Sequence, residues 1–288
     1  MTIEIPEMMV RFEGALDNYL RAGEPIDKDV AAIVEAARYA VLGPASRRRQ
    51  ILLTLGAELF DDNPYDRVMP VACAVEFCHT ASLVFDDLPQ QDNAMTRRGK
   101  HALHVRYDEA TAQLVGIYLN TLSYEVAFKA IESFPAERVI KAIISVTKSA
   151  GLEGLVSGQH QDLRLKRDDK LTLNELEEFY CRKTANFIGA IASSAAILYG
   201  RDRNEVGHLY GFGRFSGLAL QFTDDCNSIE AGNGEDDGKL TAITALGLEA
   251  TKRMIGVYIE RALKELEVFG DAAARLKGAV GMIHKQIS

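Results

Sequence analysis

Cys78-His79-Thr80-Ala81-Ser82-Leu83-Val84-Phe85-Asp86-Asp87-Leu88-Pro89 runs on through Gln90-Gln91-Asp92 and shortly afterwards into Arg97-Arg98-Gly99. The apolar part is helical in its spacing, because Val71, Val75, Cys78 and Ser82 recur at three- and four-residue intervals. Each helical residue advances by about 100°, so His79 and Asp86 share a face while Asp86 and Asp92 would point apart on an unbroken helix. Pro89 resolves that conflict. It has no N–H and its ring clashes with the Phe85 carbonyl, so the helix must kink or end there and the chain can bring Asp92 back towards Asp86. An Asp-Asp pair alone is an ordinary solvated helix end; the proline, the third aspartate and the Arg-Arg-Gly together say more. Carboxylates bind hard cations such as Mg²⁺, and arginine forks bind phosphate oxygens. The stretch therefore describes a site for a metal-chelated diphosphate, with Asp86 and Asp92 as the first metal ligands and Asp87 next.

Outward from this stretch the chain reads as helix throughout. All seven prolines lie at or before Pro135, so nothing later forbids long helices. Leu176, Phe179, Lys183 and Phe187 repeat the three- and four-residue spacing. No segment alternates in a sustained way between turn signals, so strands are not expected. Helices are predicted near 4–21, 27–42, 46–60, 68–88, 107–133, 136–163, 171–199, 202–230, 239–269 and 271–286. Breaks fall at Gly23-Glu24-Pro25, Asp61-Asp62-Asn63-Pro64, Arg167-Asp168-Asp169 and Gly232-Asn233-Gly234. Short connections and the lack of any linker or repeat favour one all-α domain over residues 1–288.

Composition narrows the function classes. The chain has 288 residues, a formal net charge of −8 and four cysteines. An acidic chain is a poor match for nucleic acid, and one that binds an anionic substrate needs a metal or a local arginine cluster. No run approaches about 20 uninterrupted apolar residues, so no membrane span is expected. Cys73, Cys78, Cys181 and Cys226 lie inside apolar helical patterns with no Cys-x-x-Cys pair, which reads as reduced core thiols in a cytoplasmic protein.

Asp-Asp-x4-Asp followed by Arg-Arg-Gly resembles the first aspartate-rich motif of the trans-isoprenyl diphosphate synthases. The stretch from Cys78 to Pro89 is especially similar to geranylgeranyl diphosphate synthases. Later signals fall in the family's order. Gly154-Leu155-Val156-Ser157-Gly158-Gln159-His160-Gln161-Asp162 resembles its Gly-rich helix turn, Arg182-Lys183-Thr184 its Lys-Thr pair, and Gln221-Phe222-Thr223-Asp224-Asp225 the lead-in to its second aspartate motif. The resemblance implies an isoprenoid synthase bundle around a central apolar cavity, a homodimer, and Mg²⁺ linking both motifs to an allylic diphosphate. It implies metal at Asp86 and Asp92 and, from the second motif, at Asp224 and Asp225. It also implies that Arg97, Lys183, Thr184 and Gln221 meet the allylic diphosphate, and that Arg49, His79 and Arg98 meet isopentenyl diphosphate. The reaction implied is condensation of the two, with positions four and five before the first aspartate flooring the growing chain. Those positions are Ser82 and Ala81, both small, so a product longer than fifteen carbons is expected, geranylgeranyl diphosphate first. Close helix packing is the ordinary alternative for two small residues there, as it is for Gly154 and Gly158.

Three departures from the family pattern stand out. The family's Gly-Gly-Lys-Arg-x-Arg-Pro is Pro44-Ala45-Ser46-Arg47-Arg48-Arg49-Gln50 here, so Ser46 replaces a lysine. The second motif reads Asp224-Asp225-Cys226-Asn227-Ser228, with a serine in place of its last aspartate. After it, only Lys239 remains to take the role of a later lysine, behind Glu235-Asp236-Asp237; Glu230, Glu235 and Asp236 are the candidates for a replacement carboxylate. Gly116-Ile117 also replaces a common Gly-Asp pair. All the losses concern diphosphate and metal handling. They leave open a working synthase, a cyclase-like relative that ionises an allylic diphosphate without condensing it, and a weakly active or inactive partner subunit.

Overall fold

The apolar helix ends where Pro89 requires. Helix α4 spans Tyr65–Asp86, and the Asp87 amide closes it by donating to the Leu83 and Phe85 carbonyls. The structure is a computed structural model that describes residues 3–21, 27–231 and 238–284. The predicted breaks at Gly23-Glu24-Pro25 and Gly232-Asn233-Gly234 lie outside the described residues, as do Glu235, Asp236 and the side chain of Glu230.

Contacts group the chain into two units, one from Met1–Thr54 with Asp62–Val139, the other from Leu55–Asp61 with Ile140–Ser288. The first holds α1 (Ile5–Arg21), α2 (Lys28–Val41), most of α3 (Arg48–Ala57), α4, and α5 (Leu103–Arg106) and α6 (Glu109–Phe128). Its core is α4 against α6. On α6, Ala112, Val115, Gly116, Leu119, Leu122 and Val126 are buried at helical spacing. Asp108 starts that helix by accepting a 2.7 Å hydrogen bond from the Thr111 amide. By length and composition alone α4 could cross a membrane, but 67% of its most apolar stretch is buried within the protein and it carries Glu76, His79 and Asp86. Core packing accounts for its apolar character.

The chain enters the second unit within α7 (Ala136–Ala150), which is followed by α8 (Leu155–Asp162), α9 (Leu173–Tyr180), α10 (Asn186–Leu198), α11 (Arg203–Ala231), α12 (Ala242–Leu246), α13 (Leu248–Glu265) and α14 (Ala274–His284). Thr172 and Glu175 cap the start of α9 reciprocally, the Thr172 amide donating to Glu175 Oε2 at 2.8 Å. The core is an aromatic file of Phe179, Tyr180, Phe222 and Tyr258, with successive ring centroids 5.1–5.4 Å apart.

The expected helices are present, with local corrections. The predicted helix 136–163 breaks between α7 and α8, where a Cβ on Gly154 would lie 1.8 Å from the Ser149 carbonyl oxygen. Gly154 therefore serves a tight chain reversal, its amide donating to the Gly151 carbonyl at 3.1 Å. The predicted helix 171–199 carries a π-helical turn at Cys181–Ala185 between α9 and α10. The predicted helix 239–269 breaks at Gly247, whose φ of 84° separates α12 from α13. Two-residue strands, β1 (Thr96–Arg97) and β2 (Lys100–His101), pair antiparallel around Arg98 and Gly99, with φ of 53° and 74°. Both turn residues are left-handed, as a two-residue hairpin needs. Strands this short leave no alternation to read.

Candidate active site

Past the end of α4 the chain folds back on itself. The Asp92 amide donates to the Asp86 carbonyl at 2.9 Å, and the Asn93 and Ala94 amides donate to Leu88 and Asp87 at 3.1 Å. This is the return that Pro89 implied. Asp86 and Asp92 are half-buried at this turn. Asp87 is different: it is buried and faces the hairpin, where Arg97 Nε donates to its two oxygens at 2.9 and 3.1 Å and Arg97 Nη2 adds a third, short contact. Burial pushes the Asp87 carboxyl above its usual range, and the Arg97 guanidinium pulls it back. Asp87 thus anchors Arg97.

Behind it, on the same face of α4, sits a carboxylate that belongs to none of the sequence motifs. Glu76 is 2% exposed. It receives Arg47, Gln50 and Thr80, and Arg98 Nη2 reaches it at 3.2 Å. Arg47 is itself buried, bridging Glu76 to Glu13 and donating to the Val41 carbonyl at 2.7 Å. A lone acid within an apolar helix needs a cation partner, and that signal was available in the sequence. One turn along α4, Arg49 Nη1 donates to His79 Nε2 at 2.9 Å. Burial first, then the charges of Arg49, Arg98, Arg97 and Arg47, hold the His79 pKa well below 6.5. The ring is therefore neutral, with Nε2 as the acceptor. Arg49 and His79 are brought together as expected. Ser46 is exposed on the non-helical segment before α3. Ala81 is buried, and Ser82 donates back to the His79 carbonyl at 2.8 Å.

In the second unit, Lys183 Nζ lies 2.8 Å from Asp162 Oδ1, and Lys239 Nζ approaches Oδ2 at 3.6 Å. Asp162 is 4% exposed and serves both lysines, a role that its place at the end of the Gly-rich stretch does not reveal. The approach depends on Gly158, where a Cβ would fall 2.4 Å from the Lys183 backbone. The π turn carries Lys183 and Thr184 together, and Thr184 Oγ1 donates to Gln221 Oε1 at 2.8 Å. Gln221 Nε2 in turn donates to Asp225 Oδ1 at 3.2 Å.

The two aspartates of the second motif differ. Asp224 is exposed. Asp225 points into the core, where Tyr180 Oη and the Ala242 amide donate to Oδ2 at 2.5 and 2.6 Å. Burial raises its pKa to about 6, against the pull of these hydrogen bonds. It ties α11 to the start of α12. Ser228 donates to the Asp225 carbonyl at 3.1 Å. Among the described residues, no three carboxylate, histidine or cysteine side chains converge as a preformed metal site.

Comparison with known proteins agrees with these elements. The polyprenyl synthetase family model matches residues 30–276. The chain is 36% identical over 278 residues to the heterodimeric geranylgeranyl pyrophosphate synthase large subunit 2 of Arabidopsis thaliana, covering 92% of this chain and 72% of that protein. Among solved structures, an FPP/GFPP synthase from Zymomonas mobilis superposes with a TM-score of 0.85 at 29% identity, covering 96% of this chain and 98% of that one. A geranyltransferase from Helicobacter pylori, complexed with magnesium and isoprenyl diphosphate, gives a TM-score of 0.83 at 26% identity, covering 100% and 99%.

Proposed function

Because the chain belongs to the polyprenyl synthetase family, we propose that it is a trans-prenyltransferase condensing an allylic diphosphate with isopentenyl diphosphate, through one catalytic domain spanning residues 1–288. The observation that carries this reading is the return of Asp92 onto Asp86 past Pro89, beside a hairpin that presents two arginines.

Magnesium is the proposed cofactor, and the donor set fits it. Mg²⁺ takes one or two carboxylates and completes its shell with water and phosphate oxygens. Asp86 and Asp92 would hold it in the first unit; in the second unit Asp224 is the outward carboxylate that would serve a metal, while Asp225 is tied into the core. A metal held by these carboxylates would supply positive charge to offset the charge that develops on a departing diphosphate. Arg97 and Arg98 are fixed by Asp87 and Glu76, and a guanidinium carries five donors, more than one carboxylate takes up. Preorganised cations of this kind stabilise charge in the transition state without having to reorganise. Arg49, oriented by neutral His79, belongs to the isopentenyl diphosphate side; Lys183, Thr184, Gln221 and Lys239 belong to the allylic side.

The product is geranylgeranyl diphosphate in this reading, because Ala81 and Ser82 leave the floor of the growing chain open. Ala81→Phe is expected to shorten the product; an unaltered product distribution would refute that role. The assembly is a homodimer. Leu114, Ile117, Tyr124, Phe128 and Ile131 are exposed along one face of α6 and its short continuation, with Thr121 among them, an apolar stripe of the kind that marks an interaction surface. Sedimentation should give twice the chain mass, and Ile117→Asp a monomer. Cytoplasmic residence completes the reading, supported by four free cysteines, three of them buried.

The deciding assay is purified protein with Mg²⁺, labelled isopentenyl diphosphate and each allylic primer in turn, with aqueous and hexane-soluble products separated. Label in a longer diphosphate supports condensation. A hydrocarbon formed without isopentenyl diphosphate supports cyclisation, and binding without turnover supports a partner subunit.

A further inference from the structure

Three cations line an open pocket in the first unit. They are Arg97, Arg98 and Lys100, facing Thr80 and Leu83 of α4 and the Leu42-Gly43-Pro44 segment that leads towards Ser46. Two of the three have buried counter-ions: Arg97 has Asp87 and Arg98 has Glu76. Lys100 has none. Its Nζ donates to the Leu42 carbonyl at 3.2 Å and lies 5.2 Å from the Tyr39 ring centroid, and no carboxylate of the described residues reaches it within ion-pair distance. The ammonium sits so close to the chain that a Cβ on Gly43, which has a φ of +128°, would fall 2.5 Å away. An ammonium with only a carbonyl and a ring for company is poised for an anion, and it lies against the segment where the expected cation at position 46 is missing.

We propose that Lys100 supplies the cation that Ser46 does not, and binds the diphosphate of isopentenyl diphosphate beside Arg98. This rests on the condensation reading above. The hairpin makes it possible: the left-handed turn at Arg98 and Gly99 pairs Arg97 with Lys100 and keeps all three cations on one short loop. Tyr39 helps to fix the loop by donating to the His101 carbonyl at 2.9 Å.

The test uses wild type, Lys100→Met, and the double variant Lys100→Met with Ser46→Lys. Methionine keeps the apolar stem over Tyr39 and removes the charge, and melting temperatures confirm that each variant folds. Removing one charge-assisted contact should raise KM for isopentenyl diphosphate about tenfold or more, with KM for the allylic primer within about twofold of wild type. Calorimetric titration of isopentenyl diphosphate should show the same loss of affinity. The added lysine at position 46 should restore most of it. Unchanged KM and affinity in Lys100→Met, an equal rise in KM for both substrates, or no recovery in the double variant would overturn the proposal. Absence of turnover by wild type would instead overturn the condensation reading, and the titrations would still decide the role of Lys100. Absence of binding to wild type would overturn both.

Discussion

The two units handle charge differently. In the first, each hairpin arginine has its own buried acid, Asp87 for Arg97 and Glu76 for Arg98, while Asp86 and Asp92 stand at the turn past α4. In the second, two lysines share the single buried Asp162, and of the two motif aspartates one is exposed and the other is tied into the core by Tyr180, Gln221 and Ala242. The first motif is thus a pair of carboxylates with independently anchored cations. The second is one outward carboxylate on a scaffold that its neighbour holds together. Loss of the last aspartate, now Ser228, falls on the half whose acids already divide between chemistry and structure.

The sharpest way to break this contrast is to delete one outward carboxylate from each side. Asp86→Ala is expected to lower kcat by about a thousandfold or more, and Asp224→Ala by roughly ten- to a hundredfold, since metal-borne charge stabilisation rests mainly on the first pair. Steady-state rates with labelled isopentenyl diphosphate measure both, and equal losses would erase the asymmetry. Next in size is Glu76→Gln. It leaves Arg47 buried with Glu13 as its one remaining counter-ion among the described residues, and breaking a buried ion pair costs about 3–5 kcal/mol. Urea denaturation should show that loss; a change below about 1 kcal/mol would mean that Glu76 does not hold the hairpin side together.

The matching test on the second unit is Gly158→Ala. The added methyl meets Lys183 backbone atoms at 2.4 Å, so the helices must move apart, at about 1–3 kcal/mol. KM for the allylic primer should rise with it, because Lys183 moves too. The smallest effect concerns pH. His79 is held neutral below 6.5 by burial and arginines, so below that pH the unfolded chain takes up a proton that the folded chain refuses. Its contribution to stability is complete above pH 6.5 and is lost as pH falls towards the depressed folded value. Wild type should therefore lose more melting temperature between pH 7.5 and 5.5 than His79→Gln does; identical slopes would remove His79 from the account.

Helical spacing, proline placement and a few loop signals carried the fold class, because amphipathic period and backbone restriction are local properties written residue by residue. The return of Asp92 to Asp86 was legible for the same reason: Pro89 has one local consequence. Grouping Lys183, Thr184 and Gln221 came from family order and was matched by a network of contacts. What stayed hidden were partners far apart in sequence. Glu76 with Arg47 and Arg98, Asp162 with Lys183 and Lys239, and Asp225 with Tyr180 and the start of α12 are pairings across separate elements. The sequence listed their charges without saying which would be buried together. By itself it determined where helices run, where they stop, and which side chains carry chemistry. Only the tertiary structure decided which acids anchor cations and which face outward. A buried charge must find its counter-ion among whatever the packed elements bring near, and that proximity is a property of the packing.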